Sequence, residues 1–273
     1  STHSQEFQKT YGIYCCQICI VRFLFIPLCC CLIKCLYCQV AGAEQTAMAG
    51  CSIAHTNAFS ATNSIAASAS TERNILGLHY TNYFLFTEVN AVQLSLAQVL
   101  EKGTLSYRAD YFGINQFNTL KLGLGYAKPF GKHIAVGLRL NYHRINLIQN
   151  QAKNLVSFDL GMVYTMNEKI RLATSLRNPI KQKLEQTFNE TLNTEFILGG
   201  SFLPNDNFYF SWEFQKDLQL PLRSAIGFSY TLHPKLITRA GISINPIMIS
   251  GGIGIQKAQL QIDVSSSWHT KLG

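Results

Sequence analysis

A chain of 273 residues is long enough for one large domain or two ordinary ones. Hydrophobic residues make up 47% of it and charged residues only 14%, well under the roughly 25% of water-soluble domains. The net charge is +8, but the basic residues form no run or patch, which excludes a nucleic-acid surface.

All nine cysteines lie at or before Cys51, so they are not the disulfide framework of a folded domain. Arg22 precedes an apolar run, Phe23 to Leu32, broken only by Pro27. A second apolar stretch passes Lys34 and ends at Val40, and Ala41, Gly42 and Ala43 then supply an A-x-A pattern. Residues 1–43 therefore read as an export signal peptide with upstream residues. A retained helix would need roughly 18 uninterrupted apolar residues. Cys31, Cys35 and Cys38 have the spacing of an iron–sulfur site, but no strand–helix units follow to carry one. They read as small hydrophobes. Met48 to Cys51 is a faint lipoprotein box, separated from the apolar run by Glu44, Gln45 and Thr46.

Residues 44–73 are rich in Ala, Ser, Thr and Asn and weakly patterned. After them, apolar residues recur at every second position, the period of a strand with two unlike faces. A weak first strand falls at 75–81. Stronger ones follow around Leu94 (89–99), around Tyr107 (103–112), and over 119–127 and 134–143. Further strands fall at 154–166, 170–177, 195–202, 208–215, 223–230, 239–245, 249–255 and 260–265. The hairpin 119–145 shows the rule clearly. Leu120, Leu122, Leu124 and Tyr126 alternate with Lys121, Gly123, Gly125 and Ala127. A turn at 128–132 leads to Ile134, Val136, Leu138, Leu140 and Tyr142 alternating with Ala135, Gly137, Arg139, Asn141 and His143.

Charge decides between a soluble sandwich and a membrane barrel. The strand cores carry none on the apolar face, while Arg, Asp, Glu or Lys occupies the other face of most strands. An Arg or Lys at mid-bilayer on a barrel's lipid face costs about 2–4 kcal/mol. A sandwich would need far more charge outside to stay dissolved. The pattern predicts an all-β, transmembrane antiparallel β-barrel over residues 74–273, in contact with the lipid bilayer. Short turns fall at 100–103, 129–133, 167–169, 203–207, 232–236 and 256–258, expected to be periplasmic. Longer links fall at 82–88, 113–118, 146–153, 178–194, 216–222 and 245–247, expected to be extracellular. About 13 strands are present, whereas single-chain bacterial barrels have an even count. The expectation is therefore a natural barrel of 14, with the last strand beyond Gly273.

The stretches Thr46 to His55 and Ala61 to Ala67 resemble the start of mature PorV/PorQ-family and FadL-like outer-membrane proteins. Similar elements are Tyr111 to Gly113, Arg177 to Pro179, Arg239 to Ile242 and Trp268 to Gly273. The resemblance implies a plug at 44–73 inside the barrel. It also implies a non-enzymatic part in type IX protein secretion at the bacterial cell outer membrane, with secretion-system proteins or secreted cargo as partners. The alternative it implies is a FadL-like channel for uptake of hydrophobic small molecules, which predicts an apolar pocket near the plug and a lateral wall opening. Asn63, Ser64 and Ile65 stand where the FadL-like pattern has Asn-Pro-Ala.

No catalytic constellation is visible, no cofactor motif, and no metal-ligand spacing among His55, His79, His133, His143, His233 and His269. The inward charges Arg108, Asp110, Arg139, Asp159, Arg171, Arg177, Glu195, Glu213, Arg223, Arg239 and Asp263 are the candidate lumen-lining residues. They read as pairing with each other and with a plug, for which the inward Gly and Ala leave space. Loop 178–194, with Lys181, Lys183, Glu185, Phe188 and Leu192, is the expected extracellular contact surface.

Overall fold

A computed structural model describes residues 40–83, 89–114, 117–147, 151–180, 182–185, 190–192, 194–218 and 220–270. The leader expected up to residue 39, its cysteine pattern, Lys181 and Phe188 lie outside the described residues. The compact unit begins at Val40. It opens with two short helices, α1 (Ala43–Ala47) and α2 (Ser60–Asn63), and a 3-10 turn (Ala66–Ser70). None of the described helices is long and apolar enough to cross a membrane.

Fifteen strands follow: β1 (Ile75–Asn82), β2 (Asn90–Leu100), β3 (Gly103–Ile114), β4 (Phe117–Phe130), β5 (Ile134–Leu147), β6 (Gln151–Thr165), β7 (Ile170–Arg177), β8 (Gln182–Glu185), β9 (Glu190–Leu192), β10 (Glu195–Asn205), β11 (Phe208–Asp217), β12 (Arg223–His233), β13 (Leu236–Ile244), β14 (Met248–Lys257) and β15 (Leu260–His269). All but β8 and β9 form one antiparallel sheet of 13 strands in chain order. This is the architecture of an outer-membrane β-barrel, and several strands exceed the 9–11 residues that cross a bilayer. Strands β1 and β15, the two end strands, run in the same direction. Among the described residues each carries a ladder on one edge only.

Alternation sets the faces. Leu122, Leu124, Leu138, Leu140 and Leu160 are exposed, while Gly125, Ala127, Gly137, Arg139 and Asp159 between them are buried. Exposed aliphatic and aromatic side chains recur on the outer face from β1 to β15. Outward charges such as Lys128, Arg144 and Lys216 stand near strand ends, where a long stem reaches water from an apolar wall.

Three differences from the sequence reading have physical causes. Strand β4 runs through Lys128 and Pro129 to Phe130, and the turn is confined to 131–133. Proline needs no ladder partner for its missing N–H at a strand end. The links at 113–118 and 146–153 shrink because strand residues occupy most of them. The expected loop 178–194 contains its own hairpin, β8 with β9.

The sheet curls around residues 40–73. Helix α1 lies against β13, β14 and β15, α2 against β2 and β3, and the 3-10 turn against β3 to β6. The buried apolar core is the meeting of this segment with the wall: Ile53, Ala54, Ala66 and Ala67 with Ala135, Val163, Ala173 and Ile197. A second cluster joins Met48, Ala49 and Cys51 to Ala225, with Tyr209 packed against it.

Candidate functional site: the lumen and its plug

Inward side chains directly opposite one another on neighbouring strands form a charged row. Arg139, Asp159, Arg177, Glu195 and Asp217 are successive cross-strand partners from β5 to β11. Arg139 donates to Asp159 Oδ2 through Nη2 at 2.7 Å and Nε at 3.1 Å, and Asn141 Nδ2 donates to the same oxygen at 2.9 Å. Arg177 stands 3.5 Å from Glu195. Arg108 pairs with Asp110 one row away. Opposite charges facing each other on one sheet face stabilise the pairing of their strands.

The same arginines hold the plug. A helix end leaves carbonyls without intrahelical donors, and buried carbonyls need partners. Around α2, Arg139 Nη1 donates to the carbonyls of Ala61 and Thr62, each at 2.7 Å. Arg108 donates to Thr62 O at 3.2 Å and Arg177 to Asn63 O at 2.8 Å. Arg171 donates to Thr56 Oγ1 at 3.0 Å, and Arg223 reaches Ala49 O. Glu213 does the converse, accepting the backbone N–H groups of Ser52 at 2.8 Å and Ile53 at 3.0 Å. Arg239 bridges Asp263 at 2.6 Å and the plug's Glu44 at 3.3 Å.

Asn63 turns back to the backbone of Ala41. Ser64 is buried and donates its N–H to Ser60 O at 2.9 Å. Ile65 enters a recess floored by glycines. A Cβ placed on Gly137 would lie 2.8 Å from Ile65 Cγ1 and 2.9 Å from the backbone nitrogen of Ala66, and Gly125 and Gly161 also face Ile65.

Sequence reasoning passed over several members of this site. Glu44 was read only as a spacer, yet its Oε1 is 2.9 Å from His55 Nε2 and its Oε2 accepts from Asn57 at 2.7 Å. Burial opposes ionisation of Glu44, but His55 and Arg239 outweigh it and hold the pKa at about 2. Burial, with Glu213 nearby, pushes the Cys51 thiol up to about 12, so it stays protonated. Lys121 lies on the inward face between Asp110 and His143. Its place in the alternation was a readable signal. Tyr209 packs edge-on against His55 at 4.5 Å between ring centres.

His143 Nε2 and Ser157 Oγ meet at 2.8 Å across β5 and β6. Among the described residues no carboxylate is hydrogen-bonded to this histidine, so the orienting third group of a hydrolytic triad is missing. No cluster of three or more metal-ligating side chains occurs among the described residues.

Toward the link end of β3 and β4 the inner face becomes aromatic. Phe112 and Phe117 are buried on the same face as Arg108 and Asp110, with ring centres 6.5 Å apart, and Tyr83 joins Phe112 at 5.9 Å. Among the described residues the ladders joining β1 to β4 beside them are unbroken. The ladders from β1 to β7 hold one register throughout, and the shifts within the 13-stranded sheet are at Phe202/Asn205 and Thr231/His233. A depression of about 430 Å³ is lined by the outward Tyr107, Leu122, Leu124, Leu140, Tyr142 and Val156 together with Arg108, Gly123 and Asn141.

No family model and no curated protein matches the chain in sequence. Its fold is similar to solved outer-membrane structures. One is the CymD monoaromatic hydrocarbon channel, with a TM-score of 0.65 at 13% identity, over 84% of this chain and 93% of that one. A Pseudomonas aeruginosa FadL homologue gives 0.64 at 10% identity, over 84% and 89%. The Pseudomonas putida toluene transporter TodX gives 0.61 at 11% identity, over 84% and 92%. The fold is thus that of an outer-membrane β-barrel, and the bacterial outer membrane is where such a barrel resides.

Proposed function

We propose that this chain is a FadL-like channel admitting hydrophobic small molecules, without enzymatic chemistry of its own. The observation that carries the reading is the aromatic cluster Tyr83, Phe112 and Phe117, set on the inner face toward the links and continuing into a polar, plugged lumen. A solute leaving water is favoured by apolar contact at such a mouth, at roughly 25 cal/mol per Å² buried. Two of the structures of similar fold are named as channels or transporters for monoaromatic hydrocarbons or toluene, which supports an apolar solute. A role in type IX secretion, with its partner proteins or cargo, rests on the sequence resemblance to PorV/PorQ alone and is not carried further.

The test is uptake of a labelled monoaromatic hydrocarbon by cells carrying or lacking the protein. Loss of the protein should lower uptake, and Phe112→Ala with Phe117→Ala should lower it several-fold per assembled barrel. Equal uptake with and without the protein overturns the proposal.

A further inference from the structure

The triplet Ala41, Gly42 and Ala43 has two rival explanations, because small residues suit a signal-peptidase cut and also suit a crowded interior. The structure assigns it to the interior. We propose that Ala41–Ala43 remain in the mature protein as the first turn of the plug, and that the leader is removed upstream of Ala41. The inference rests on export to the outer membrane and not on what the channel carries.

Four hydrogen bonds depend on the triplet. Ala41, fully buried, donates its N–H to Asn63 Oδ1 at 2.9 Å and accepts from Asn63 Nδ2 at 2.7 Å. Gly42 O accepts the N–H of Thr46 at 3.0 Å and its hydroxyl at 2.9 Å, closing the first turn of α1. Gly42 has φ of +102°, and a side chain there would collide with Gln45 and the Phe59 ring. That backbone conformation favours glycine.

A cut after Ala43 would remove all four bonds. The Asn63 amide, only 3% exposed, would lose both partners, and a new ammonium would be placed on Glu44 beside Arg239. A buried polar group stripped of its partner bears its desolvation cost unrelieved. Asn63 therefore ties the start of the plug to α2, which is a role the sequence motif alone does not disclose.

The direct measurement is N-terminal sequencing of the protein extracted from outer membranes. A first residue at or before Ala41 is expected, and a first residue at Glu44 or later overturns the proposal. Ala43→Leu gives an independent arm, since Ala43 is only half-buried and leucine blocks a cut after it. Processing should proceed within twofold of the parent rate; a tenfold accumulation of precursor would mean the cut is at Ala43. A chain fused to a foreign leader so as to begin at Glu44 should yield several-fold less heat-resistant barrel than one beginning at Ala41. Equal yields would also overturn the proposal. None of these outcomes depends on solute uptake.

Discussion

At the scale of single residues, the plug is held by charges whose partners are mostly backbone atoms. Arg139 is 1% exposed and serves Asp159, Ala61 and Thr62 together. Arg139→Met would take the buried counter-charge from Asp159 and a donor from the carbonyls of Ala61 and Thr62, at a cost of about 3–5 kcal/mol. Unfolding in detergent should show that loss, and the Arg139→Met, Asp159→Asn double variant should lose less than the two single variants summed. Glu44 makes a different, pH-dependent contribution. Its pKa falls from 4.5 to about 2 on folding, so between those values the unfolded chain binds more protons. Stability from Glu44 is complete above pH 4.5 and is lost as pH falls toward 2, up to about 3 kcal/mol. Glu44→Gln should flatten the acid limb of the melting-temperature profile in that window while leaving its shape near neutrality unchanged. An identical acid limb in the variant would show that Glu44 is not the group responsible.

At the scale of elements, the strands were legible and the contacts of the plug were not. A period of two survives in any strand with one apolar face, which is why even the weak stretch at 75–81 proves to be β1. The plug has no such period. Its short helices are fixed by wall arginines and wall glycines distant in sequence, so no local pattern announces Ile65 or Glu44 as contact residues. The inward glycines were legible as space but not as a fit to particular side chains. Gly137→Val tests the fit. Its added carbons meet Ile65 and the backbone of Ala66, so the 3-10 turn must shift. Limited proteolysis should then cut within residues 60–70 faster than in the parent, whereas Gly251→Ala, whose nearest neighbour would be 3.7 Å away, should behave as the parent does.

Across the whole molecule, the apolar exterior is the property that composition and alternation disclosed together. Leu138 is 48% exposed near the middle of β5, and Phe130 is 55% exposed at the end of β4. Leu138→Arg should cost about 2–4 kcal/mol, and Phe130→Arg, at the rim, about 0–1. Comparing the folded fractions of the two variants in lipid vesicles checks the depth dependence; equal losses would contradict an exterior that faces hydrocarbon. The lumen charges were legible as a set, because their parity places them all on one face, but which of them met each other and which met the plug depended on register. The guanidinium groups on β3, β5, β7, β12 and β13 find acceptors on a stretch of chain that precedes β1. A wall emptied of that stretch would keep its own ion pairs but lose these acceptors, so the leading chain completes the charge balance of the interior.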